Sequence, residues 1–202
     1  MVFYNKYRPK NFYQVLGQDD VVDTLRKQVI SGAFHHSYLF YGPSGMGKTS
    51  TARILAAALN CSGVEEGEPC GRCQSCKSIS VGTSWDVTEI DAASYRGIED
   101  IHELKRWAFL SPIGKKKVYI LDEAHMLTRP AWNSLLKLLE EPPPNVVIIL
   151  CTTNRGEIPD TVYGRCLNLH FKPIKGKAVM QKLASIAQAE GYDNLGNIFR
   201  SP

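Results

Sequence analysis

The chain has 202 residues, 44% of them hydrophobic, with a formal net charge of +4 and a pI near 8.7. That length suits one α/β domain with a small appendage, and the apolar share can build a sizeable core. Met1-Val-Phe-Tyr-Asn-Lys-Tyr-Arg-Pro9 lacks an apolar signal region, and no run approaches the roughly 20 apolar residues of a membrane span, so the expectation is a cytoplasmic protein without a membrane role. So mild a positive charge permits a polyanionic partner without arguing for one.

In chain order, Val21, Val22, Leu25, Val29 and Ile30 form a helical stripe over 19–31 that stops at Gly32. A short apolar strand at 37–41 follows, and a helical stretch occupies 48–60. Between them Gly42-Pro-Ser-Gly-Met-Gly-Lys-Thr49 is a complete G-x-x-x-x-G-K-T phosphate loop in its strand–loop–helix context. Gly42, Gly45 and Gly47 let the backbone curl after Pro43, so N–H groups along Ser44, Met46 and on to Ser50 can face phosphate oxygens at a helix N-terminus. Lys48 would reach the β- and γ-phosphates, and the Thr49 hydroxyl would ligate Mg²⁺. A nucleoside triphosphate is the expected ligand.

Polar Gly63–Pro69 interrupts the pattern between the first two of Cys61, Cys70, Cys73 and Cys76, spaced C-x8-C-x2-C-x2-C. Two C-x2-C steps present thiolates to one metal, and Cys61 at a helix end completes a tetrahedron, so structural Zn²⁺ is the first choice. An iron–sulfur cluster is the rival, but its x3-Cys-Pro continuation is replaced by Ser80-Val81. Free thiols and disulfides are the remaining readings.

Further strands fall at 85–90, 118–121, 146–151 and 167–171, with helices at 98–109 and 130–141, the latter stopped by Pro142-Pro143-Pro144. Strands apolar on both faces mean a covered parallel sheet, hence a doubly wound α/β fold. Val118-Tyr-Ile-Leu-Asp-Glu-Ala-His125 ends a strand in two acids: Asp122 can hold Mg²⁺ through water, and Glu123 can orient and activate an attacking water. That pair favours hydrolysis over phosphoryl transfer to a small molecule. Thr153, or Asn154, follows the strand at 146–151, where a polar group would neighbour the γ-phosphate. Cys151 reads as core. By spacing alone, Arg165 is a surface charge and Lys115-Lys116-Lys117 a solvated loop. Ser94-Tyr-Arg-Gly97 precedes a helix, so Arg96 can grip a nucleic-acid phosphate. From 175 to 190 another amphipathic helix begins.

Lys6-Tyr-Arg-Pro with Gly17-Gln18, the phosphate loop, the inserted cysteines, Asp-Glu-Ala-His, Leu135-Leu-Lys-Leu-Leu-Glu-Glu-Pro142, Cys-Thr-Thr-Asn154 and Arg165-Cys166 occur in that order. Together they resemble the gamma/tau ATPase subunits of bacterial DNA polymerase III clamp loaders, which are AAA+ proteins. The resemblance implies an AAA+ nucleotide-binding domain over 1–172 with a zinc module inserted at about 61–80, and the start of a helical lid domain over 173–202. It implies that Tyr7, Arg8, Pro9 and Gln18 pack against the adenine, that Thr153 is the sensor-1 residue, and that Arg165 is an arginine finger acting in trans. The finger triplet departs from Ser-Arg-Cys at Gly164, and Arg200 stands near the sensor-2 position only by location. A third domain of such relatives has no counterpart, so a fragment or a natural truncation is expected. The implied partners are other loader subunits in a pentameric ring, a sliding clamp, and primed DNA contacted through its backbone, Arg96 included. Three other classes compete: a nucleotide-binding scaffold subunit, a helicase suggested by Asp-Glu-Ala-His, and a small-molecule kinase. The absent second motor domain opposes the helicase, and the absent acceptor lid opposes the kinase.

Overall fold

The computed structural model describes residues 3–192. Eight α-helices are present among them: α1 (Phe3–Lys6), α2 (Asp19–Ser31), α3 (Lys48–Asn60), α4 (Gln74–Ser80), α5 (Ile98–Ala108), α6 (Arg129–Glu140), α7 (Asp160–Tyr163) and α8 (Gly176–Ala189). Five strands, β1 (Ser37–Tyr41), β2 (Val87–Asp91), β3 (Lys117–Asp122), β4 (Val146–Thr152) and β5 (Leu167–His170), make one sheet in the order β2-β3-β4-β1-β5. Every pairing is parallel. The C-terminal ends of all the strands therefore lie at one end of the sheet. That end carries Gly42 after β1, Asp122 at the tip of β3 and Thr152 at the tip of β4.

Strand alternation divides the core. All of β4 is buried. Val147, Ile149 and Cys151 join the layer that holds Val21, Leu25, Ile54 and Leu55 of α2 and α3. Val146, Ile148 and Leu150 join the opposite layer, with Ile101, Leu104, Leu135 and Leu138 of α5 and α6. Each fully buried aliphatic side chain contributes about 1.5–3 kcal/mol. Cys151 is core, as its strand pattern requires.

Local chemistry sets the helix limits. Gly32 closes α2 in the left-handed conformation at φ 69°. Asp100 accepts from Gly97 N at 3.0 Å at the start of α5. Thr128 accepts from Ala131 N at 3.4 Å to cap α6, with Pro130 in its first turn.

Two expectations are corrected. The second strand begins at Val87, two residues later than the apolar run, because Asp86 accepts from Ile113 N and Gly114 N at 2.9 and 2.6 Å and pins the loop before β3, leaving Trp85 exposed. The lysine run is only in part a solvated loop: Lys115 is exposed and Lys116 half-buried in the loop before β3, where Lys115 Nζ donates to Cys61 O and Lys116 Nζ to Pro144 O, but Lys117 is buried in β3 and its Nζ donates to Trp107 O. Among the described residues no helix is long and apolar enough to cross a membrane.

Candidate functional site

Gly42 leaves β1 at φ 146°, and a Cβ there would stand 2.1 Å from Phe171 O, so only glycine fits where the loop passes β5. Gly45 and Gly47 are also left-handed, at φ 77° and 94°, and Gly47 caps α3. Lys48 Nζ donates to Gly42 O at 2.8 Å and to Pro43 O at 2.9 Å, which places the ammonium across the loop. Burial draws the Lys48 ammonium below the usual lysine range, against the pull of Glu123 and Asp122.

The acidic pair meets this loop. Thr49 Oγ1 donates to Asp122 Oδ2 at 2.8 Å, so the two groups expected to hold Mg²⁺ are already neighbours. Glu123 adopts φ 46° and ψ 44°, a left-handed conformation uncommon for a side chain of its size, and its N–H bonds Asp122 Oδ1 at 3.0 Å. This turn aims the Glu123 carboxylate at the tip of β4. Thr153 Oγ1 donates to Glu123 Oε2 at 2.9 Å, and His125 Nδ1 lies 3.4 Å from the same oxygen and 3.1 Å from Thr152 Oγ1. His125 went unassigned in the sequence, although its place two residues after Glu123 in Asp-Glu-Ala-His was the available signal. Asn154 instead caps the next turn, accepting from Gly156 N at 3.2 Å.

Beside the loop is a cavity of about 530 Å³ lined by Tyr7, Arg8, Pro9, Met46, Ser50 and Leu183. The N-terminal segment therefore does flank the phosphate loop, with α8 opposite. Lys6 Nζ and Tyr7 OH both donate to Glu190 at the end of α8, which ties the two walls together. Gln18 does not line this cavity. It is buried, its Nε2 donates to Lys172 O at 2.7 Å, and its Oε1 accepts from Lys172 N at 3.0 Å. Paired with the N–H and C=O of Lys172, this side chain ties the segment before α2 to the segment after β5.

Cys61 ends α3, Cys73 caps α4, and Cys76 stands one turn into it. Together with Cys70 their sulfurs all lie within 4.8 Å of one another, and Cys61 and Cys73 Sγ are 3.9 Å apart. A tetrahedral Zn–S distance of about 2.3 Å sets S···S edges of about 3.8 Å, so the donor set fits one such ion. Backbone N–H groups of Cys70, Cys73 and Cys76 point at neighbouring sulfurs at 3.3–3.5 Å, which favours thiolates. Burial would raise the Cys73 thiol, but donation from Cys76 and Ser62 outweighs it and brings the group down to about 6. All six cysteines are free of disulfides.

A family model described as DNA polymerase III, delta subunit, matches residues 17–175. The chain belongs to that family. This delta-subunit-family chain is 46% identical over 190 residues to the DNA polymerase III subunit gamma/tau of Mycoplasma genitalium, covering 94% of this chain and 32% of that protein. It is 43% identical over 188 residues to subunit tau of Bacillus subtilis, covering 93% of this chain and 33% of that protein. It thus spans about a third of the length of these two relatives. Its fold is similar to that of the Thermotoga maritima RuvB Holliday junction branch migration motor, with a TM-score of 0.65 at 18% identity over 92% of this chain and 55% of that one. A gamma subunit-related protein of Thermotoga maritima superposes with a TM-score of 0.53 at 20% identity, covering 86% of this chain and 53% of that one. The chain accordingly has the parallel α/β fold seen in those two Thermotoga maritima proteins.

In this delta-subunit-family chain, Arg165 stands apart from the phosphate loop. β5 begins with Leu167 beside Tyr38 and ends with His170 beside Tyr41, so Arg165 precedes the end of β5 remote from Gly42. Its guanidinium donates to Thr161 O and pairs with Glu140 Oε1 at 2.6 Å. Arg96 is exposed just before α5, and its carbonyl accepts from Thr128 N at 3.2 Å. Arg200 lies outside the described residues.

Proposed function

We propose that this chain is an ATP-binding and ATP-hydrolysing motor of a bacterial clamp loader, which drives opening of a sliding clamp and its placement on primed DNA. The convergence of Thr49, Asp122, Glu123 and Thr153 on one phosphate loop carries this reading. Residues 1–172 act as the nucleotide-binding domain with its zinc module, and α8 opens a helical lid domain over it. Gly42 through Ser50 cradle the triphosphate, Lys48 neutralises the β- and γ-phosphates, and Thr49 with Asp122 would hold Mg²⁺. That ion supplies charge neutralisation on the transferred group. Tyr7, Arg8 and Pro9 flank the base. Glu123 orients the attacking water and takes its proton, while Thr153 positions the Glu123 carboxylate. Cys61, Cys70, Cys73 and Cys76 hold one structural Zn²⁺.

Arg165 serves a neighbouring protomer in a pentameric ring. Its place at the end of β5 away from its own loop supports action in trans, where an added cation stabilises charge on the transition state. Arg96 contacts DNA phosphates without reading sequence, so binding weakens with salt. Turnover by the chain alone is slow, because its site is complete only in the assembly. The 46% identity to a gamma/tau subunit supports these partners.

A second reading is a nucleotide-binding scaffold with little turnover of its own, favoured by the engagement of Glu123 with Thr153 and His125. ATPase assays with partner subunits, clamp and primed DNA separate the two. For a motor, Glu123→Gln keeps ATP binding and loses about 10²–10⁴-fold in stimulated turnover, and Arg165→Ala in a neighbouring subunit loses about 10³-fold or more. Unchanged turnover in both variants rejects the motor.

A further inference from the structure

The cysteine module is sewn into the segment that walls the nucleotide cavity. Its entry loop makes a tight turn with a Glu65–Glu68 bridge, where Glu66 and Gly67 are left-handed. Arg26 of α2 donates to Glu66 O at 3.2 and 2.9 Å, and a Cβ at Gly67 would meet Arg26 O at 2.9 Å, so this turn lies flat on α2. The next residue, Glu68, is buried. Its Oε2 accepts from Phe12 N at 2.7 Å, and its Oε1 pairs with Arg26 Nε at 3.2 Å. Phe12 is fully buried in the core. Glu68 thus fixes the backbone just after Arg8-Pro9-Lys10 and just before the cysteines.

The same segment also faces the module across a small cavity. Arg8, Pro9 and Lys10 share a cavity of about 170 Å³ with Pro69, Gly71 and Cys76. Arg8 and Pro9 also line the cavity of about 530 Å³ beside Gly45–Gly47. One side of this short strip faces the metal module, and the other faces the site of the base. The strip has no sheet partner of its own: Tyr7 OH donates to Glu190 on the α8 side and Lys10 N to Gln14 Oε1 at 2.8 Å, while on the side of the cysteines it is held by Glu68 and the packing of residues 69–76.

We infer that the four-cysteine module is a positioning element of the nucleotide cavity, with Glu68 the residue that connects a folded, metal-holding module to the Tyr7–Pro9 wall. The inference deepens the ATP reading and rests on it. Binding of metal and of nucleotide are then linked, and the linkage is reciprocal: an ordered module favours nucleotide, and bound nucleotide favours metal retention. The effect is confined to the base-facing part of the ligand, because the phosphate loop takes its shape from β1, α3 and β5.

The test uses the zinc-loaded chain and two probes, ATP and inorganic tripolyphosphate, measured by calorimetry. Glu68→Ala should weaken ATP binding about tenfold and leave tripolyphosphate within about twofold, with zinc content unchanged. Glu68→Gln, which keeps an acceptor for the Phe12 N–H, should recover most of the loss. Unchanged ATP affinity in Glu68→Ala, or an equal fall for both probes, overturns the inference. If Glu68→Ala fails to fold, the wild-type chain decides through zinc release to a chelating dye. Saturating ATP should slow that release several-fold where tripolyphosphate does not, and equal rates overturn the linkage. Failure of the wild-type chain to bind ATP at all would reject the nucleotide reading instead.

Discussion

The Thr153 hydroxyl donates to Glu123 Oε2 at 2.9 Å, joining the tips of two adjacent parallel strands. A residue expected to sense the γ-phosphate is therefore bonded to the carboxylate expected to activate water. Thr153→Val removes this bond and leaves His125 as the remaining neighbour of that oxygen. ATP affinity should stay within about threefold, while stimulated kcat falls about 10–100-fold, a loss confined to the chemical step. A rise in Kd with kcat unchanged would show that Thr153 serves binding instead.

At Gly42 the prediction concerns shape. Ala adds a Cβ 2.1 Å from Phe171 O at a φ of 146°, so loop and β5 must separate. Gly42→Ala should cost at least about 1–3 kcal/mol of stability and abolish detectable ATP binding. Denaturant unfolding and calorimetry check the two parts. Retained ATP affinity would mean that β5 yields without disturbing the phosphate loop.

The six cysteines should divide by reactivity. Burial pushes the Cys166 thiol up to about 12 and raises that of fully buried Cys151 as well, so neither offers a useful thiolate near pH 8. Metal analysis should find about one Zn²⁺ per chain. Alkylation of the zinc-loaded chain should leave all six sites unmodified, and a strong chelator should open Cys61, Cys70, Cys73 and Cys76 alone. Iron in the protein, or labelling of Cys151 before the cluster, contradicts this assignment.

Tyr119 gives a pH dependence. It is buried in β3, and burial, reinforced by Asp86, raises its phenol from 10.0 to about 12. The folded state keeps this proton where the unfolded chain releases it. Stability from this source is fully present below pH 10 and is lost as pH rises toward 12. The raised Cys166 thiol acts in the same direction from about pH 9 upward. Tyr119→Phe should flatten the fall in unfolding free energy between pH 10 and 11.5, measured in denaturant. Parallel curves for the two proteins would place the alkaline loss elsewhere.

Local spacing made much of this molecule legible. The period of Val21, Val22 and Leu25 located α2, and doubly apolar runs located β3 and β4 inside a covered parallel sheet. The phosphate loop and the C-x2-C steps were equally visible, because their chemistry depends on neighbours within a few residues. Long-range partners were not. Gln18 bonds the backbone of Lys172, Glu68 that of Phe12, and Arg165 the side chain of Glu140, pairings that no sequence period encodes. The lysine run misled at Lys117 for the same reason: its ammonium is buried against Trp107 O, an acceptor ten residues away at the end of α5.

Sequence by itself determined which elements form and which residues carry phosphate and thiolate chemistry, since hydrophobic period, glycine freedom and motif spacing act over short stretches. Only the tertiary structure decided how those groups meet. Parallel pairing brought Asp122 and Thr152 to the loop end of the sheet, a left-handed turn at Glu123 handed its carboxylate to Thr153, and the parallel run of β5 beside β1 left Arg165 at the other end. Those outcomes depend on register and packing between segments far apart in the chain, where burial and backbone hydrogen bonding, rather than local propensity, set the geometry.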